Sequence, residues 1–227
     1  MSSTNLFFTE DLDLTDEQIS ITRRTYLDFA DNYVTNFERT NGALERTRPY
    51  TLDPFLLHYR QNNLTHPILF AGCGSGRDLE YVNRQNIKTL GIDTSEAMIN
   101  LAHKSGVNSP LSVGDLSSLT FEPEAFDGIF CETALSHIKK SELKNVVDSF
   151  YRLLKINGLA LLGFRLGNGM VYGTDDATGG LRYNTTLTET EIQNLVDASK
   201  FKILETNISQ HSISSRPPFY NIIIQKQ

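Results

Sequence analysis

Between residues 68 and 164 the apolar positions gather into short runs, separated by longer stretches in which they recur at helical spacing. The runs at 68–71, 88–92, 111–114, 127–131 and 159–164 are too brief for typical helices and read as strands. Their alternation with helical segments predicts βαβ units and a mostly parallel sheet. In the last crossover, Ser141 stands where a helix cap is wanted. Leu143, Val146, Val147, Phe150 and Leu154 then share one face, and Gly158 follows as the expected stop. Farther on, Thr188 and Glu191 have capping-box spacing before a helix reaching about Lys200. Two β-rich runs, 201–208 and 219–224, come next; no helix joins them, so they should pair antiparallel.

The edges of the chain read differently. Thr15 and Gln18 again have capping-box spacing, and Tyr26, Phe29, Ala30, Tyr33, Val34 and Phe37 recur as one amphipathic helical stripe. The stretch from Arg165 to Thr188 carries Gly167, Gly169, Gly173, Gly179 and Gly180 and is expected to be a mobile loop over the carboxyl edge of the sheet. No repeat or linker divides the chain. It is expected to be one domain over 1–227, with a helical extension at 1–60 and a core at 61–227.

The chemistry concentrates in ILFAGCGSGRDLEYV, residues 68–82, where a strand runs into a glycine turn and then a helix. Gly72, Gly74 and Gly76 let the backbone turn sharply and approach a ligand. Arg77 stands where a dinucleotide fingerprint wants its third glycine, which weakens an NAD reading. Asp93 ends the second strand, 17 residues after Gly76, at the place where an acid in doubly wound folds holds a ribose diol. Asp115, after the third strand, could accept from an exocyclic adenine amine.

Together, AGCGSGRD, GIDTSEAMINLA, GDLSSL, FDGIFCETALSHI and LLKINGLALLGF resemble the class I S-adenosylmethionine-dependent methyltransferases, small-molecule branch, over about residues 24–208. The resemblance implies an α/β doubly wound seven-stranded sheet in the order 3-2-1-4-5-7-6, with the last strand antiparallel and an N-terminal helical lid. It also implies S-adenosylmethionine (SAM) as cofactor. By the same resemblance Gly72 and Gly74 meet the methionine moiety, Asp93 the ribose, Met98 the adenine face, Asp115 and Leu116 its edge, and the Cys131 carbonyl the amino group. The family usually carries an acid two residues before the first glycine, and here that position is Phe70. Asp78 or Glu132 could supply the missing charge, and Arg77 or Arg48 could meet the cofactor carboxylate.

Methyl transfer needs an acceptor held in line with the methyl-to-sulfur bond, plus a base if the acceptor carries a proton. His137, just after the fourth strand, is the candidate base; the alternative is a histidine that bonds a backbone group and orients its loop. Tyr33 could cover the cofactor as a lid aromatic, whereas the rest of its stripe reads as packing. Arg165, Tyr172, Arg182 and Tyr183 flank the glycine-rich stretch and could touch the acceptor. His58, His66, His103 and His211 are assigned surface or structural roles.

Charge narrows the partners. With 21 Lys and Arg against 27 Asp and Glu, the formal charge is −6, which argues against a broad nucleic-acid footprint. The two cysteines, Cys73 and Cys131, cannot build a thiolate metal site and are expected to be reduced thiols. Neither a signal peptide nor a bilayer-spanning run is expected, which places the protein in the cytoplasm. The expected function is therefore methyl transfer to a small-molecule or peptide acceptor. A non-catalytic subunit on the same fold, or an NAD(P)-dependent oxidoreductase, are the alternatives.

Overall fold

Two apolar layers sandwich a twisted sheet in the computed structural model, which describes residues 6–10, 12–39 (backbone alone at 37–39), 48–174, 179–209 and 217–227. The sheet comprises β2 (Ile68–Ala71), β3 (Thr89–Asp93), β4 (Leu111–Val113), β5 (Phe126–Cys131), β6 (Leu154–Arg165), β9 (Phe201–Ser209) and β10 (Phe219–Lys226). Its spatial order is β4-β3-β2-β5-β6-β10-β9. Strands β2 to β6 run parallel, and β10 is antiparallel to both β6 and β9. This is the expected order 3-2-1-4-5-7-6.

Residues alternate between the two layers with the period of a strand. Leu69, Ala71, Ile129, Cys131, Ala160 and Leu162 pack under α6 (Leu143–Leu153) and α7 (Glu189–Ala198). Ile68, Phe70, Phe130, Leu159 and Leu161 pack on the other face, under α3 (Leu52–Gln61), α4 (Arg77–Asn83) and α5 (Glu96–Lys104). Burial on both faces explains why these strands read as unbroken apolar runs.

Four expectations need correction. The N-terminal stripe is not one helix: α1 (Asp16–Asp28) stops at Phe29, whose φ of −119° is not helical. Then come α2 (Ala30–Tyr33) and a π-turn over Val34–Arg39. Of the stripe, Ala30 and Val34 are buried against Met98, with Tyr26 and Tyr33 half-buried beside them; the Phe37 side chain lies outside the described residues.

Ser141 does not cap α6: it lies in a 3-10 turn, Lys140–Glu142, that precedes the helix, and Asp13, from the N-terminal segment, binds that turn. Its carboxylate accepts from Lys140 N at 2.5 Å, Ser141 N at 3.0 Å and Ser141 Oγ at 2.6 Å. Burial pushes the Asp13 carboxyl up, but these bonds and one from Leu14 N outweigh it and hold it below the ordinary carboxylate value. Gly158 does not end the helix either. Strand β6 starts directly at Leu154, within the expected helix face, and Asn157 takes the positive φ, 65°.

The glycine-rich stretch is largely a hairpin, β7 (Gly169–Thr174) with β8 (Leu181–Thr186), while residues 175–178 lie outside the described ones. Strand β1 (Leu6–Thr9) adds to it, and Phe7, Tyr172 and Tyr183 stack in one cross-strand row, with ring centroids 5.2 and 5.1 Å apart. The partner strand comes from the start of the chain, so nothing within 165–188 signals it. His211 lies outside the described residues. Among the described residues no helix is long and apolar enough to cross a membrane, and no cluster of His, Cys, Asp and Glu could hold a metal ion.

Candidate active site

Strand β2 ends at Ala71, and the following turn is tied to the tip of β3: Gly72 N and Cys73 N both donate to Ile92 O, at 2.8 and 2.9 Å. Asp93 completes the tie. One carboxylate oxygen accepts from Gly74 N and the other from Ser95 N, each at 2.9 Å. Burial pushes the Asp93 carboxyl up, opposed by the backbone bonds from Ser95, Gly74 and Thr94. These three donors leave one of the roughly four lone-pair sites of the carboxylate for a ligand hydroxyl.

The glycines do different work. A Cβ on Gly72 would sit 2.3 Å from the Ala134 Cβ, so glycine there lets the segment after β5 close on the turn. A Cβ on Gly74 would meet nothing within 4 Å, and its φ of +53° favours glycine. Gly74 alone of this pair therefore offers its backbone to open space.

That space is a cleft of roughly 1110 Å³, open mouth included, at the carboxyl ends of β2, β3 and β5. Tyr33, Gly72, Gly74, Arg77, Asp93, Met98, Leu116 and His137 all line it. Asp115 and Cys131 are not on the wall. The Asp115 carboxylate is engaged by Arg23 of α1 and by Ser117 N at 2.9 Å. Burial raises this carboxyl, and the Ser117 and Arg23 contacts more than reverse it. The Cys131 side chain is fully buried, and desolvation pushes its thiol up to about 12. Neither cysteine forms a disulfide.

Helix α1 lines the cleft through Ile19, Thr22, Arg23 and Tyr26, and the hairpin backs His137 from outside the wall. His137 Nδ1 lies 3.1 Å from the Tyr183 carbonyl oxygen, which can only accept, so Nδ1 carries the proton. Nε2 is then an acceptor for the Tyr26 hydroxyl at 3.1 Å. Arg182 donates to the same hydroxyl oxygen at 2.6 Å. Tyr26 makes edge contacts with both Tyr33 and His137, at 5.7 and 5.4 Å between centroids. Helix α1 is fixed over this site by polar contacts: Tyr183 N donates to Thr22 Oγ1, Thr25 Oγ1 to Leu181 O, and Ser95 Oγ to Tyr26 O.

The sequence reads Tyr26 as a packing residue and sets Arg182 among four residues that flank the glycine-rich stretch and could touch the acceptor, with nothing to join the two. No local signal joins positions 26, 137 and 182; only the hairpin register and the seat of α1 do. Phe70, Asp78 and Glu132 also line the cleft. An adenosyl group fits these walls in chemistry: Gly74 leaves room, Asp93 offers an acceptor, and Met98 and Leu116 offer apolar surface.

Residues 68–158 match the family model of the methyltransferase domain. The uncharacterized methyltransferase YodH of Bacillus subtilis is 29% identical over 99 residues, which span 42% of this chain and 41% of that protein. The chain spans between 30% and 54% of the length of the curated relatives it matches. Two solved structures share the fold over nearly their full length. The Burkholderia thailandensis 1,6-didemethyltoxoflavin-N1-methyltransferase, holding 1,6-didemethyltoxoflavin and S-adenosylhomocysteine, superposes with a TM-score of 0.69 at 18% identity, over 97% of this chain and 93% of that one. The magnesium protoporphyrin IX methyltransferase of Synechocystis PCC 6803, with bound SAM, gives a TM-score of 0.71 at 16% identity, over 94% of this chain and 99% of that one. Residues 68–158 are thus similar to a methyltransferase domain, and the strand order β4-β3-β2-β5-β6-β10-β9 gives the chain the fold of the solved S-adenosylmethionine-dependent methyltransferases.

Proposed function

We propose that the chain is a SAM-dependent methyltransferase for a small-molecule acceptor bearing a titratable O–H or N–H. The observation that carries this reading is that one cleft is lined by both the Gly74–Asp93 cradle and the Tyr26–His137 pair. The cofactor, when bound, supplies an activated methyl group on a sulfonium. Asp93 binds the ribose hydroxyls, Met98 and Leu116 flank the adenine, and Gly72, Gly74 and Arg77 border the amino-acid end.

Both ring nitrogens of His137 already face protein atoms, so His137 takes a proton through Tyr26. The acceptor proton passes to the Tyr26 oxygen as the Tyr26 proton moves to Nε2, and the Tyr183 carbonyl steadies the imidazolium through Nδ1–H. Arg182 holds the phenol in place. Tyr33 and α1 exclude water from the acceptor side. Walls on this side favour a compact acceptor, as in the structural relative that holds a small heterocycle, although a short peptide end also suits an open mouth. The net charge of −6 disfavours a polyanionic acceptor. Free thiols at Cys73 and Cys131 suit the cytoplasm.

Isothermal titration tests the reading: heat with S-adenosylhomocysteine and none with NAD is expected, and the reverse overturns it. Incubation with SAM and a panel of small phenols, amines and peptides should then yield a product heavier by one methylene for a small acceptor. Turnover of peptides alone would overturn the small-molecule part.

A further inference from the structure

The amino edge of the sheet, at the end away from the cleft, carries a polar cluster of its own. Its parts come from three places in the chain: Asp127 near the start of β5, Lys155 near the start of β6, and His66 in the segment between α3 and β2. The Asp127 side chain is 7% exposed, and its Oδ2 accepts from Thr65 N at 2.7 Å, His66 N at 2.6 Å and His66 Nδ1 at 3.2 Å. A carboxylate oxygen only accepts, so Nδ1 carries the ring proton and Nε2 keeps its lone pair. That lone pair faces Lys155 Nζ at 2.8 Å. Tyr59 of α3 donates to the His66 carbonyl, so the ring hangs from a backbone held at both its N–H and its C=O.

The contact differs in kind from those of other lysines. Lys139, Lys140, Lys144 and Lys226 each face a carboxylate, which favours the ammonium and keeps its proton in place. An imidazole nitrogen can instead take that proton. An amine is a nucleophile only after losing one, and an activated nucleophile has a base within about 2.6–3.2 Å, oriented in turn by a third group. Lys155, His66 and Asp127 stand in that order and at those lengths. The carboxylate is buried behind a ring that is 50% exposed, so solvent meets the cationic end of the row.

We infer that Lys155 is a site of covalent acylation by acyl phosphates, with His66 as its base and Asp127 as the residue that positions the ring and steadies its charged form. An ammonium proton of Lys155 passes to His66 Nε2, the freed Nζ lone pair bonds to the acyl carbon, and the carbon–oxygen bond to phosphate breaks. A second nitrogen proton leaves with the phosphate, the imidazolium gives its proton to water, and the side chain ends as a neutral amide. The anionic donor suits the cationic end that faces solvent. The site stands apart from the cleft and does not depend on the SAM reading.

The full chain is incubated with acetyl phosphate near neutral pH, and digestion with mass spectrometry then compares Lys155 with Lys144, whose side chain is 51% exposed and paired with Asp148. In the wild type Lys155 should be acetylated roughly tenfold or more faster. His66→Gln keeps an acceptor for the ammonium but takes no proton, and it should bring Lys155 to within about threefold of Lys144. Asp127→Asn should likewise remove most of the advantage. An unchanged rate at Lys144 and an unchanged circular dichroism spectrum show that a variant is folded; should His66→Gln fail to fold, Asp127→Asn reads the relay in its place. A wild-type Lys155 no more reactive than Lys144 overturns the inference, as does an advantage undiminished in His66→Gln.

Discussion

Asp93→Asn tests the cradle most directly, because it removes a charge while keeping the shape of the side chain. In the wild type the carboxylate oxygens accept from Gly74 N and Ser95 N, with a further backbone bond from Thr94, and a lone pair is left for the ribose diol. Losing charge-assisted bonds to the diol should weaken S-adenosylhomocysteine by about 2 kcal/mol, or roughly thirtyfold in Kd. In the ligand-free protein two effects oppose each other: the amide relieves the burial penalty that raises the Asp93 carboxyl, but its NH2 cannot accept from one of the two backbone N–H groups. Each variant must therefore be compared with its own ligand-free baseline. At a ligand concentration about 100 times the wild-type Kd, binding stabilises the wild type by about 2.7 kcal/mol, and a thirtyfold weaker site leaves about 0.9 kcal/mol. At roughly 2–4 °C per kcal/mol for a chain of this size, the ligand-induced rise in Tm should fall from about 5–11 °C to about 2–4 °C. Differential scanning fluorimetry reads this directly. An unchanged rise in Asp93→Asn would refute the cradle.

Tyr26→Phe removes the hydroxyl between Arg182 and His137 and should lower kcat by roughly 10- to 100-fold with S-adenosylhomocysteine affinity unchanged; an unaltered kcat would show that the acceptor proton leaves by another route. Gly72→Ala places a methyl 2.3 Å from the Ala134 Cβ and should cost about 2–4 kcal/mol in denaturant unfolding, against about 1–2 kcal/mol for Gly74→Ala, which strains φ but meets open space. Equal losses in the two would contradict the packing role of Gly72. Asp13→Ala removes the acceptor that holds the 3-10 turn leading into α6 and should cost about 0.5–2 kcal/mol at pH 7. Because the folded-state value of Asp13 is depressed, that contribution is complete above the unfolded value of about 4 and fades as pH falls through the folded one. Urea titrations of wild type and variant should accordingly converge toward pH 2–3, and a constant gap would point to lost packing instead.

The strands were legible because their causes are local. β2 and β5 are short runs buried along their whole length, and β2 begins and ends where the apolar residues do. The capping boxes at Thr15 and Thr188 were readable for the same reason, since each involves four successive residues. Asp93 and the glycines could be placed because the strand–turn–helix order fixes where they emerge. Features resting on distant partners could not be read. Phe29 interrupts the N-terminal helix where Ala30 and Val34 turn toward Met98 on α5. Gly169 and Gly173 sit in a strand, β7, which pairs with β8 and, from more than 150 positions away, with β1. His137 was visible as a candidate, but its tautomer depends on a carbonyl 46 residues later and its outlet on a phenol 111 residues earlier.

Helix α1 buries two threonines, Thr22 and Thr25, and no large aliphatic side chain. What fastens it is therefore a row of hydrogen bonds to the hairpin and to Ser95, together with the Arg23–Asp115 pair. Water can take over each of those bonds as the helix lifts, so detachment forfeits little hydrophobic adhesion. Ligand exchange at the cleft can thus proceed by peeling one segment away while both greasy layers of the sheet stay sealed, and turnover becomes uncoupled from global unfolding.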